Sequence, residues 1–158
     1  MGTMSLNDDT DYGQCFVCGP NNVSGLQLRF HSDRNRVMTT FRGGSHHQGF
    51  PGRVHGGILT ALLDEVMSRV SLLEDRWTMT ARMEVRFRLP VPLDEEVTAI
   101  GWKSASRRGL WEALGNVMLS DGEVAAEAVG TFLEVPNETL AEITEGYPEL
   151  ASQWMSPV

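Results

Sequence analysis

The sequence is short of cysteine, of basic charge and of long apolar runs. Two cysteines in 158 residues are too few for a disulfide scaffold, and their scarcity fits a reducing cytoplasm. No apolar run reaches the length of a bilayer-spanning helix. The opening MGTMSLNDDTDYG lacks the basic and apolar regions of a secretory signal, and Leu6 stands where a myristoylation motif needs Ser or Thr. The net charge of −8 argues against a general nucleic-acid surface, because phosphate binding draws on a basic field. Internal repeats and low-complexity stretches are also missing.

What remains is a globular composition, 41% hydrophobic, long enough for one domain with a sizeable core. Charge is uneven. Residues 82–108 hold six basic residues (Arg82, Arg86, Arg88, Lys103, Arg107, Arg108) against four acids, a local +2 that leaves the remainder at −10. Such a segment can hold a small polyanion or be an ordinary solvated face.

Hydrophobic periodicity divides the chain. Residues 1–14 read as a polar arm, 15–137 as the folded domain, and 138–158 as a short helix and tail. LQLRFH (26–31) and RVMTTFR (36–42) read as strands joined by SDRN. The stretch 43–57 has six glycines and reads as loop. It opens a leucine-rich helix that runs to about Glu74. TMTARMEVRFRLPV alternates strictly: Met79, Ala81, Met83, Val85, Phe87 and Leu89 on a core face, Thr78, Thr80, Arg82, Glu84, Arg86 and Arg88 on a polar face. Three more hairpin-linked strands follow, with turns at RRG and DG. One helix and one antiparallel sheet make an α+β domain. The uncovered edge of the sheet predicts dimerisation.

On a helical wheel Ile58, Leu59, Leu62, Leu63, Val66, Met67, Val70 and Leu73 fill one arc, the face toward the sheet. Asp64 falls outside it, on a ridge with Thr60, Ser68 and Ser71. Glu65 can pair with Arg69 four residues on. Gly56 and Gly57 open the helix, where the first N–H groups lack intrahelical partners and glycine lets a ligand oxygen come close. Asp64 lies eight residues beyond Gly56, about 12 Å along the axis. One carbonyl cannot meet both on one helix. If both act on one substrate, two chains must supply them. Alternatively, Asp64 is a solvated surface acid.

The residues HGG, then six, then DE on the helix, followed by MTARMEVRFRLPVP, resemble the hotdog-fold acyl-CoA thioesterases, most nearly the phenylacetate-pathway (PaaI-like) branch. CFVCGPNNVSGLQLRF and HQGFPGRVHGGILTALLDE resemble a bacterial subgroup of it. The resemblance spans about residues 15–135. It implies a hotdog fold, one long central helix wrapped by a curved antiparallel sheet. It also implies an acyl-CoA substrate, a homodimer that can pair again, and no cofactor or metal. In that pattern the Gly56 amide polarises the thioester carbonyl, Asp64 attacks or activates water, and Thr80 places the water or the carboxylate. An Asn or Gln stands six residues before the His in the family. That position is Gly49 here, with Gln48 one residue off. His55 and Gly57 flank the oxyanion site, His55 more as a helix-start residue than as a proton carrier. Arg86, Arg88, Arg107 and Arg108 are candidates for the CoA phosphates.

CFVC supplies half a zinc site, which His31, His46 or His47 could complete; the Gly19-Pro20 turn after it argues against a thioredoxin-like context, and a structural reading without metal is favoured. Met67, Met79 and Met83 suggest an adaptable apolar tunnel or plain core. Two rival functions are acyl-CoA binding without cleavage, as sensor or carrier, and a hydratase or dehydratase. No helix-turn-helix accompanies the domain to support a regulator, and no hydratase motif is visible.

Overall fold

The structure, a computed structural model, describes residues 14–146. The expected arm at 1–14 therefore falls, but for Gln14, outside the described residues, as does the tail from 147 on. Strands β1 (His31–Ser32) and β2 (Arg36–Arg42) come first. Helix α1 (Gly56–Ser68) follows and tightens into a 3-10 segment, Arg69–Glu74. Then come β3 (Thr78–Phe87), β4 (Glu96–Arg107), β5 (Leu110–Met118), β6 (Val124–Glu134) and helix α2 (Asn137–Gly146). The sheet runs β1-β2-β4-β5-β6-β3 with every neighbouring pair antiparallel. The sequence locates each long element to within a few residues.

Turn chemistry explains the meander. Arg108 and Gly109 both take positive φ, 50° and 77°, as a two-residue hairpin turn matching the strand twist requires. Helix α1 lies across one face of the sheet. Leu62, Leu63, Val66 and Met67 are fully buried there. The helix can come that close because the strands beneath it are stripped of side chains. Gly101 pairs with Gly115, and Gly115 with Ala128. A Cβ on Gly101 would sit 2.4 Å from the Val66 carbonyl oxygen, and one on Gly115 3.0 Å from Met67.

Two expectations need correcting. The first strand shrinks to His31–Ser32. Backbone N–H groups of Leu26 and Leu28 bond instead to the carbonyls of Phe16 and Val17, and Thr39 Oγ1 donates to the Arg29 carbonyl. The segment is tied to the CFVC loop, and Leu28 and Phe30 are still buried.

The second correction concerns β3. Its alternation is broken by a β-bulge between Thr80 and Arg82. Before the bulge the helix-facing residues are Thr78 and Thr80, paired in register with Glu134 and buried Phe132; after it they are Met83, Val85 and Phe87. Met79, placed in the core by its odd number, is 62% exposed beside Leu133 on the outer face. The tunnel reading therefore loses Met79, while Met67 is core and Met83 half-buried. β3 ends the sheet, so its outer edge is unpaired among the described residues.

Candidate active site

The start of α1 is built by His55. It is the N-cap residue, in extended conformation, and its Nδ1 accepts the Gly57 N–H at 2.8 Å. The imidazole thus carries its proton on Nε2. Its carbonyl accepts from Ile58 at 2.9 Å and Leu59 at 3.3 Å, and its own N–H donates to the His47 carbonyl. Of the N–H groups at this helix end, Gly56 alone has no hydrogen-bond partner among the described residues. The Gly57 N–H, by contrast, is engaged by the cap. His55 is the N-cap of α1.

Gly56 lies on a surface groove of about 600 Å³ lined by Gly49, Phe50, Arg53, Phe87 and Arg88, among others. Phe50 is 82% exposed and Phe87 is 52% exposed. The Phe87 ring would touch a Cβ on Gly56 at 3.4 Å. Gln48 is absent from this lining: its Oε1 accepts the Gly52 N–H at 2.9 Å and closes the 48–52 turn. Gly49, at the family's Asn/Gln position, packs on the His55 ring.

Two turns further along α1, Thr80 donates its hydroxyl to Asp64 Oδ1 at 2.6 Å. The bulge makes this contact possible, because it keeps Thr80 on the helix side while Arg82 faces out. Asp64 is half-buried. One oxygen is held, and the other has no hydrogen-bond partner among the described residues. The residue on its flank behaves differently. Glu65 bonds Arg69 at 2.8 Å, and both side chains are nearly buried, 12% and 10% exposed. Burial pushes the Glu65 carboxyl up, with Arg69 opposing. Arg69 also lies 4.1 Å over the Phe30 ring.

The four arginines separate into two groups. Arg88 bonds Glu127 at 2.6 Å, and Arg86 approaches it at 3.9 Å from the outer face. The Arg88 hydrogen bond holds the Glu127 carboxyl below its ordinary range. Arg88 lines the groove beside Gly56, and Arg86 does not. Arg107 and Arg108 sit at the β4–β5 hairpin tip, in register with the far end of β3. Seven residues of β5 separate that row from the one containing Phe87, about 24 Å of strand rise. Arg53 and Phe50 were missed by sequence reasoning. Both lie in the glycine-rich loop, where no periodicity marks an inward side chain. For Cys15 and Cys18, no third His, Cys, Asp or Glu joins them in a metal-sized group among the described residues.

The family model of the thioesterase superfamily matches residues 51–126, a stretch that includes α1, Asp64 and Thr80. Acyl-coenzyme A thioesterase THEM4 of Mus musculus is 33% identical over 64 residues, 40% of this chain and 27% of that protein. Acyl-coenzyme A thioesterase THEM5 of Homo sapiens is 32% identical over 93 residues, 56% of this chain and 38% of that protein. The chain thus spans well under half the length of these curated relatives. A crystal structure of a thioesterase superfamily protein superposes with TM-score 0.70 at 29% identity, over 74% of this chain and 61% of that one. A Streptococcus pneumoniae structure superposes with TM-score 0.65 at 18% identity, over 68% and 88%. One long helix on a six-stranded antiparallel sheet, shared with these structures, defines a hotdog fold. Within that class, the match over 51–126 makes the thioesterase superfamily the family this chain is similar to.

Proposed function

We propose that this protein hydrolyses an acyl-CoA thioester at a site completed by a second copy of the chain. The observation that carries the reading is the single unpartnered amide at the start of α1, Gly56, two turns from an aspartate locked by Thr80. Both lie against β3, Gly56 beside Phe87 and Asp64 on Thr80, and β3 has an outer edge unpaired among the described residues. A twofold axis across that edge runs the two β3 strands antiparallel. The Phe87 end of one chain then meets the Thr80 end of its partner. Gly56 faces Asp64 of the partner subunit, and the distance that separates them on one helix no longer matters.

The chemistry follows from the groups. The Gly56 N–H, at the positive end of the helix dipole, stabilises negative charge developing on the thioester oxygen. Asp64 of the partner subunit attacks the carbonyl carbon or takes a proton from the attacking water. Thr80 fixes one carboxylate oxygen and aims the other. The same axis brings Arg107 and Arg108 of the partner subunit toward the groove that holds Arg53 and Arg88, giving the CoA phosphates cations from both chains.

The relatives support this reading. The curated ones are named acyl-CoA thioesterases. The Streptococcus pneumoniae protein was solved with coenzyme A, and a Streptococcus mutans protein of like fold with acetyl CoA. The former was also solved with an aspartate and, separately, a threonine replaced by alanine, sixteen positions apart; Asp64 and Thr80 have the same separation.

The test is release of CoA thiol from short, medium, long and aromatic acyl-CoAs by wild type and Asp64→Ala. Turnover by wild type that falls at least a hundredfold in the variant is expected. Binding without turnover on every substrate would replace hydrolysis with acyl-CoA binding, and equal turnover would remove Asp64 from the reaction.

A further inference from the structure

The CFVC motif has no part in the chemistry above, yet its surroundings are specific. Its loop is closed by the Gly19 N–H to the Cys15 carbonyl at 2.9 Å and strapped to 26–28 by bonds from Leu26 and Leu28. Gly25 lies so close to this loop that a Cβ there would be 2.4 Å from the Phe16 carbonyl oxygen, which fixes the loop's shape. The two sulfurs are inequivalent. Cys18 is 6% exposed and joins the core, whereas Cys15 is half-buried beside Phe16, itself 47% exposed. Both are thiols, and they hydrogen-bond to each other. The charged groups that reach the pair are Arg69 and Glu65 from the end of α1.

We infer that Cys15 and Cys18 form a reversible dithiol–disulfide couple, in which Cys15 attacks a low-molecular-weight disulfide and Cys18 resolves the adduct. The Cys15 thiol is pulled down to about 5, first by the hydrogen bond from the Cys18 thiol, then by the backbone N–H groups of Cys18 and Val17 and by Arg69, with burial opposing. The same contact and burial push Cys18 up. In the first step the Cys15 thiolate bonds to one sulfur of the small disulfide and expels the other as a thiolate. Once Cys15 is neutral, Cys18 loses both its hydrogen-bond acceptor and the neighbouring negative charge. Its proton then passes to the expelled thiolate, its sulfur bonds to Cys15, and the second small thiolate leaves. The second thiolate takes up the proton that Cys15 had given to water, and two electrons have then passed from the protein dithiol to the small disulfide, which becomes two thiols. None of this depends on acyl-CoA hydrolysis.

These are the only two cysteines in the chain, so mass spectrometry reads the outcome directly. On treatment of the full chain with oxidised glutathione, wild type is expected to lose two hydrogens and keep no glutathione. Cys18→Ala should stop at one glutathione on Cys15, and Cys15→Ser should stay unmodified. Circular dichroism checks that the variants fold. A second measurement needs no variant: iodoacetamide should label Cys15 ahead of Cys18, at a rate nearly flat above about pH 6. A wild type that retains glutathione, does not react or cross-links between chains would overturn the couple. So would equal labelling of both cysteines, or a Cys15 rate that rises about tenfold per pH unit toward 9.

Discussion

Gly56 tests the role of one N–H with unusual cleanness. It is the first residue of α1, and His55 before it is extended, at φ −62° and ψ 136°. Proline is favoured at that helix position and tolerated after such a residue. Gly56→Pro therefore removes the open amide while leaving the helix start intact. Turnover of an acyl-CoA should fall about 10²–10³-fold, with an unchanged melting temperature as the control. The spacing of Gly56 and Asp64 was legible in the sequence because both belong to one regular helix. That Gly57 is spoken for was not. A two-residue return bond from an imidazole nitrogen leaves no periodic trace. The same holds for Gln48, whose side-chain oxygen is engaged in its own turn.

At the scale of elements, α1 crosses β4 so closely that no side chain fits at Gly101. Gly101→Ala drives a methyl against the Val66 backbone, which no rotamer change can relieve. We expect a loss of about 3 kcal/mol, read by chemical denaturation. Glu65 gives a pH signature. Its carboxyl is raised in the folded protein, chiefly by burial, so folding takes up a proton between the unfolded carboxylate range and the raised value. This contribution is fully present below the unfolded value and is lost as pH rises through the folded one. The stability of wild type relative to Glu65→Gln should therefore decline as pH rises from about 4.5, and a difference independent of pH would refute it. The existence and type of α1 and β2–β6 could be read from periodicity. The bulge in β3 could not: TMTARMEVRFR alternates without a fault as text, and the extra residue shows only when β6 is laid beside it. The β1 segment was misread for a related reason, because its backbone groups are satisfied by a loop rather than by a strand.

At the scale of the whole molecule, the proposed site is shared, and a mixing experiment follows. Gly56→Pro and Asp64→Ala each disable both sites of their own homodimer, by different halves. After mixing and exchange in equal amounts, half of the dimers are hybrids, and each hybrid holds one intact site. Activity should return to about a quarter of wild type. No recovery after verified exchange would place both groups' action within a single chain.

The outer edge of β3, unpaired among the described residues, has one more consequence. If the reacting groups come from two copies, the catalyst is not the chain but an encounter between chains, and its abundance grows as the square of protein concentration when most chains are single. Dilution would then silence the protein without unfolding it. Specific activity, constant for a self-sufficient enzyme, would fall with the amount of enzyme in the tube.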